Sequence, residues 1–236
     1  MTCEWGAEAV ARMAPHADAV VIVDVLSFTT CVSVAVERGG IVFPWRSRDA
    51  SAAARAHELD AVLAGPRVPG GSGLSLSPGS LAAHVRPGHR LLLPSPNGST
   101  LSLATGSTPT FAGCLRNATA VASAALAVGP RIAVIPAGER WDDEQTLRPS
   151  IEDHLGAGAV IAALRDAGCA SDAFSPEARH AEAAFRALRE RLAETIRGCT
   201  SGQELIVRGF PGDVELAVEL DASDVAPRLI DGAYRG

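Results

Sequence analysis

Lysine is absent from all 236 residues, and each of the 21 basic side chains is an arginine. That absence excludes every mechanism built on an enzyme lysine, including a Schiff base and the phosphate-gripping lysine of a P-loop. No run of about 18 apolar residues occurs, so no membrane span is expected. The first twenty residues lack a basic region ahead of an apolar stretch, so a secretory signal is not expected and a cytoplasmic location is. Clustered positive charge is also lacking, and the net charge is −6. This argues against a nucleic-acid surface, although a few arginines can still bind a small anion. The five cysteines, Cys3, Cys31, Cys114, Cys169 and Cys199, show no metal-ligand spacing. Free, mostly buried thiols are expected. No Gly-x-Ser-x-Gly elbow, P-loop or dinucleotide glycine fingerprint is present.

What is present is a globular composition, 47% apolar, in a chain long enough for one α/β domain spanning residues 1–236. Apolar, β-branched runs at 18–25, 41–44, 89–94 and 130–136 read as strands buried on both faces. Residues 108–112 and 227–234 read as further strands. Helices are expected at 28–38, 49–63, 115–127, 151–167, 176–197, 202–208 and 213–220, with a short one after Gly98. Ser27 or Thr29, Asp49 and Ser150 are the expected caps. The stretch 65–80 is a Gly-, Pro- and Ser-rich loop. Strands alternating with helices predict a mostly parallel α/β sheet with helices on both faces.

Three polar clusters each follow an apolar strand. Asp24 to Thr30 follows the first, Ser95-Pro96-Asn97-Gly98-Ser99-Thr100 the third. Glu139-Arg140 through Arg148-Pro149-Ser150-Ile151-Glu152-Asp153 follows the strand at 130–136. In an open α/β sheet the carboxyl ends of strands share one edge, and ligands bind there. Asp24, Glu152 and Asp153 are therefore the candidate catalytic carboxylates and Mg2+ ligands, since hard Mg2+ takes oxygen donors and often only one or two carboxylates. Helix capping or the helix dipole is the alternative explanation of each of the three. Ser27, Thr29, Thr30, Asn97, Gly98, Ser99, Arg140 and Arg148 are candidates for an oxyanion, through hydroxyls, an amide, helix N-termini and guanidinium groups. Asp142, Asp143 and Glu144 read as a solvated acidic patch. His154 is the only histidine beside a cluster, but its helical neighbours turn it about 100° away from Asp153. The Asp24 segment differs from the haloacid-dehalogenase nucleophile motif, because position 26 is leucine.

The ordered set resembles the 2-phosphosulfolactate phosphatase (ComB-like) family. The matching segments are Val21-Ile22-Val23-Asp24-Val25-Leu26 with Thr29-Thr30, Ser95-Pro96-Asn97-Gly98-Ser99, Asn117-Ala118, Ala137-Gly138, Ser150-Ile151-Glu152-Asp153 and Ala157-Gly158. Gly212-Asp213-Val214, Asp221 and Val225-Ala226-Pro227 match near the C-terminus. The resemblance implies a cytoplasmic, Mg2+-dependent α/β phosphatase acting on a small anionic phosphorylated substrate, and it is compatible with a homo-oligomer. Neither a nucleic acid nor a membrane is an expected partner. Ser27-Phe28 stand where the family carries Arg-Ala, Pro66 where it carries Glu, and residues 73–78 form a shorter loop lacking the family's Asp and Asn. These departures imply that 2-phosphosulfolactate is a poor substrate unless Arg67 or Arg140 takes over the lost contact. The alternative is a non-catalytic anion- or metabolite-binding protein on the same fold. Asp24→Asn is expected to abolish Mg2+-dependent turnover with the fold intact.

Overall fold

The computed structural model describes residues 1–141 and 146–236. In chain order the elements are β1 (Thr2–Cys3), α1 (Gly6–Met13), β2 (Ala19–Val23), α2 (Phe28–Glu37), β3 (Ile41–Trp45), α3 (Ala50–Glu58), β4 (Val62–Leu63), α4 (Pro78–His84), β5 (Arg90–Pro94), α5 (Gly98–Ser102) and β6 (Thr110–Gly113). They continue with α6 (Ala118–Val128), β7 (Ile132–Pro136), β8 (Glu139–Arg140), β9 (Leu147–Arg148), α7 (Ile151–Asp166), α8 (Pro176–Leu188), α9 (Leu192–Gly198), α10 (Thr200–Val207), α11 (Pro211–Ala217), β10 (Arg228–Ile230) and β11 (Ala233–Arg235). Asp142, Asp143 and Glu144 lie outside the described residues.

Nine strands form one sheet in the order β1-β7-β2-β6-β10-β11-β3-β5-β4. Two parallel blocks, β1-β7-β2-β6 and β3-β5-β4, are joined by the antiparallel hairpin β10–β11. The sheet is α/β and mostly parallel, as its apolar strands lead one to expect. Alternation along β2 shows why both faces carry helices. Val21 and Val23 pack with residues of α6, α7 and α8, while Val20 and Ile22 pack with residues of α1 and Leu101 of α5. Three antiparallel steps reverse the strand direction between the blocks. Sheet twist accumulates at roughly 20–25° per neighbouring pair, so the two blocks cross steeply and their carboxyl ends can meet. The amide following β5 indeed bonds the carboxylate following β2.

Several expected elements differ in the structure for identifiable reasons. The helix expected at 49–63 stops at Glu58, because Asp60 takes a positive φ of 48° and frees Val62–Leu63 to pair with β5. The strand expected at 227–234 is a hairpin turning on Asp231-Gly232, both at positive φ. An Asp-Gly pair is the usual signal for that turn. The helix expected at 176–197 is broken by a 3-10 turn at Arg189–Arg191, yet Phe185, Leu192 and Ile196 still reach one core. Asp49 caps α3 as expected, accepting the Ser51 amide at 2.8 Å. All five cysteines are free and four are buried. Among the described residues no helix is long and apolar enough to cross a membrane.

Helices α7 and α8 pack closely over Gly158, where an added Cβ would lie 2.8 Å from the Phe185 Cβ and still nearer the Ala181 carbonyl. Overpacking of this kind costs about 1–3 kcal/mol. Gly158→Ala is expected to lower Tm by several degrees in thermal denaturation. An unchanged Tm would show that the two helices can move apart freely.

Candidate active site

A cavity of about 500 Å³ opens at the carboxyl ends of β2, β3, β5 and β7. Asp24, Ser27, Asn97 and Glu139 line it, and so do Arg46, Arg48, Arg67 and Arg208. Ser201, Glu204 and Leu205 of α10 close one side.

Asp24 is 6% exposed. Its Oδ1 accepts the Phe28 N–H at 3.0 Å and its Oδ2 accepts the Gly98 N–H at 2.8 Å. The carboxylate thus joins the N-termini of α2 and α5, and it serves as the cap of α2 in place of Ser27 or Thr29. A Cβ at Gly98 would stand 2.7 Å from Asp24 Oδ2, which is why the close approach needs glycine. Burial pushes the Asp24 carboxyl up to about 6, against the pull of its two amide bonds, and the nearby Glu152 adds to the rise. The Thr29 hydroxyl donates to the Asp24 carbonyl at 2.8 Å and the Thr30 hydroxyl to the Val25 carbonyl at 2.7 Å. Both threonines are fully buried, so they shape the turn rather than face the cavity. The Leu26–Ser27 peptide within it is cis.

Asp153 lies on the same edge but beneath the cavity. Its Oδ1 accepts the Val25 amide at 2.7 Å and its Oδ2 the Gly138 amide at 2.8 Å, tying the loop after β2 to the loop after β7. Burial, then Asp24 and Glu152, raise its pKa well above the usual carboxylate range. Glu152 is buried beside Cys199, whose thiol donates to its Oε2 at 3.3 Å. Among the described residues no three His, Cys, Asp or Glu side chains are arranged to hold a metal by themselves.

Glu139, which sequence reasoning did not select, reaches the cavity from the end of β7. It accepts the Asn97 side-chain amide at 2.8 Å. Burial, then the charge of Asp24, lifts its carboxyl to about 7. Ser99 is turned away, its hydroxyl donating to the Leu93 carbonyl at 2.9 Å. The Gly98 amide, expected to face an oxyanion, is given to Asp24.

Of the arginines that line the cavity, Arg67 is the most enclosed. Its guanidinium donates to Ser27 Oγ at 2.9 Å and to the Leu76 carbonyl, and its Nε stands 3.5 Å from Asp213 Oδ2. The guanidinium also lies over the Phe210 ring at 5.4 Å. Asp213 is fixed in turn by Ser77 Oγ at 2.6 Å and the Gly79 amide at 3.1 Å. Arg148 pairs with Glu204 at 3.5 Å and lies over Trp141, at the cavity's margin. Arg140 is exposed and lines a smaller neighbouring cavity instead. Arg46 and Arg48 were also overlooked, although they follow a strand exactly as the chosen clusters do. His154 faces a different cavity, beside Trp5 and His180.

A family model described as 2-phosphosulpholactate phosphatase matches residues 7–232. The probable 2-phosphosulfolactate phosphatase of Carboxydothermus hydrogenoformans is 32% identical over 215 residues, covering 89% of this chain and 85% of that protein. The 2-phosphosulfolactate phosphatase of Methanothermobacter thermautotrophicus is 29% identical over 216 residues, covering 90% of this chain and 87% of that protein. The probable 2-phosphosulfolactate phosphatase of Deinococcus radiodurans is 28% identical, covering 92% and 90%.

A carboxyl whose folded pKa is raised from 4.5 to about 7 destabilises the fold as pH rises between those values, and the penalty is complete above the higher one. Glu139→Gln removes it and keeps an acceptor for Asn97. The variant is expected to match the parent at pH 4 and to exceed it at pH 8. The gain is on the order of 1–3 kcal/mol, or several degrees in Tm. A pH-independent difference in melting curves would contradict the assignment.

Proposed function

The chain belongs to the 2-phosphosulpholactate phosphatase family, and we propose that it hydrolyses a small, multiply anionic phosphomonoester of the 2-phosphosulfolactate type in the cavity above Asp24. The chain is thereby a phosphoric monoester hydrolase, and the reading as a binding protein without turnover gives way to it. The observation that carries the substrate class is the set Arg46, Arg48, Arg67 and Arg208 around one cavity. A lone phosphate needs fewer guanidinium groups. Four of them suit a substrate with a second acidic group beside its phosphate, because planar donors pair well with each oxyanion. The arginine that the family carries at position 27 is replaced by serine, but Arg67 bonds that serine directly. A guanidinium therefore stands beside the same place, and we infer that 2-phosphosulfolactate remains acceptable.

The support for Mg2+ is the chemistry of Asp24. Each of its carboxylate oxygens has one lone pair in an amide bond and keeps capacity for another partner. The burial that raises its pKa would be relieved by a cation. Asp24 would hold the ion together with substrate oxygens and water, in the manner Mg2+ prefers. When bound, the ion draws charge from the phosphoryl oxygens. Asp153, with both oxygens given to backbone amides, keeps the floor of the site in shape. Glu152 adds negative charge from behind. The arginines orient the substrate. Glu139, whose carboxyl is lifted to about 7 and so keeps a protonated fraction near neutral pH, is placed to give its proton to the departing alkoxide as water attacks phosphorus and the phosphorus–oxygen bond breaks. The attacking water's proton then restores it.

The expected activity is tested by phosphate release from 2-phosphosulfolactate, 2-phospholactate and p-nitrophenyl phosphate, after EDTA treatment and with Mg2+ restored. Turnover should need Mg2+ and should favour the first substrate. Metal-independent turnover would remove the ion from the reading, and no preference among the three would remove the substrate class.

Arg67→Met paired with Asp213→Asn strands no buried charge. It is expected to raise KM for 2-phosphosulfolactate by about ten- to a hundred-fold, the worth of a charged contact. The effect on p-nitrophenyl phosphate should be smaller. Equal effects on both would place Arg67 at the phosphate rather than at the second acid.

The amide of Asp24→Asn can accept only one of the two N–H bonds that the carboxylate accepts. This variant is therefore expected to disturb the Asn97-Gly98 turn as well as turnover. Amide exchange at Gly98 faster than in the parent would show it.

A further inference from the structure

We propose that Asn97 is a positioning residue for proton delivery: it holds Glu139 in place and keeps the transferable proton on one of its oxygens, Oε1. This role rests on the phosphatase reading, in which Glu139 is the acid. Asn97 Nδ2 donates to Glu139 Oε2 at 2.8 Å. The carbonyl oxygen of a protonated carboxyl is its better acceptor, so the bond makes Oε2 the acceptor and leaves the proton on Oε1.

Two features show why the acid needs a holder. Asn97 and Glu139 line the cavity above Asp24, and both also line a smaller one of about 220 Å³ bounded by Trp5, Gly6 and Leu147. Glu139 therefore has room to swing out of the reaction cavity, and the bond to Asn97 opposes that. Asn97 is itself fixed in a turn. The amide of the next residue, Gly98, donates to Asp24 Oδ2 at 2.8 Å, and the Asn97 carbonyl accepts the Leu101 amide at 3.0 Å. Consecutive residues thus grip both carboxyls, Glu139 through a side chain and Asp24 through the backbone. This two-residue link sets the spacing of the proton donor from Asp24.

The bond also strengthens along the reaction. The proton passes from Oε1 to the bridging oxygen, which takes the electron pair of the breaking phosphorus–oxygen bond, and negative charge develops on Glu139. An N–H bond to a carboxylate is roughly twice as strong as one to a neutral carboxyl. The Asn97 bond therefore favours the transition state over the bound substrate. Burial and then the charge of Asp24 lift the Glu139 carboxyl, and the Asn97 bond works against them, in keeping with that role.

The test compares leaving groups. The alkoxide of 2-phospholactate needs a proton to depart, whereas p-nitrophenolate leaves without one at neutral pH. Both esters are assayed with Mg2+ on the full chain, on Asn97→Ala, Asn97→Ser and Glu139→Gln, and on the double variant Asn97→Ser, Glu139→Gln. Serine starts a helix about as well as asparagine does but is too short to reach Glu139, so it separates loss of the bond from damage to the turn. Each Asn97 variant is expected to lower kcat on 2-phospholactate by about tenfold or more, with KM within about twofold, and to lower kcat on p-nitrophenyl phosphate far less. Glu139→Gln should show the same selectivity with a larger loss. Adding Asn97→Ser to it should lower kcat little further, because residues that act as one unit are not additive. Equal losses on the two esters, a change confined to KM, or additive losses in the double variant would overturn the positioning role while leaving the phosphatase reading intact. A parent that hydrolyses neither ester would overturn that reading, and this role with it.

Discussion

Both oxygens of the Asp24 carboxylate are taken by backbone N–H groups that begin two different helices, α2 and α5. Those helices follow strands in different blocks of the sheet, β2 and β5. Within the sheet the blocks are joined through the β10–β11 hairpin, and the carboxylate adds a direct link between them on the side where the cavity opens. A buried charge is tolerated only with partners, and here the partners are main-chain donors that would otherwise be unsatisfied at helix starts. The same bonds that settle Asp24 also fix the shape of the cavity floor. Chemistry and architecture are therefore not separable at this residue.

Asp153 repeats the device one layer down. It joins the loop after β2 to the loop after β7 through the amides of Val25 and Gly138. Two carboxylates, each bridging two loops, hold three strand ends in register with one another. The cost is electrostatic: besides burial, the charge of Glu152 raises the proton affinity of Asp24, and the charges of Asp24 and Glu152 raise that of Glu139 and of Asp153. This accumulation of negative charge would be excessive for a structural purpose alone. Carboxyls perturbed in this way beside a cavity lined by arginines are a pointer to a functional site.

The sequence carried the sheet legibly, because buried parallel strands read as continuous apolar runs. It carried the meeting of Asp24 and Asn97 at one cavity, the candidate site, as well, because both follow such runs. What it did not carry were contacts made at a distance along the chain. Nothing in the spacing of Thr29, Thr30 and Ser99 says that their hydroxyls bond nearby carbonyls. A hydroxyl at a helix start serves backbone and ligand equally well, and the choice is made by local geometry. Arg46 and Arg48 were visible in principle, since they follow β3 as Asp24 follows β2. Glu139 was visible as the start of the third cluster but drew no role, because the run Glu152-Asp153 was the more conspicuous pair. Short elements such as β1 and β4 are set by pairing with long neighbours, not by any preference of two residues.

The lack of lysine gains meaning at Arg67. Its side chain is only 11% exposed, flanked by Asp213, Ser27 and the Phe210 ring. A lysine at that depth would lose its proton readily, and its compact ammonium would neither stack on the ring nor reach several acceptors in one plane. A guanidinium keeps its charge, spreads it, and bonds in several directions at once. Asp213, from a helix near the C-terminus, fixes one edge of that guanidinium, and Ser77 and Gly79 fix Asp213. The stretch at 65–80, which reads in the sequence as a Gly-, Pro- and Ser-rich loop, is in this way fastened to the cavity by an ion pair at its base. The most enclosed positive charge at the cavity thus comes from the least regular part of the chain and is positioned by the last of its helices.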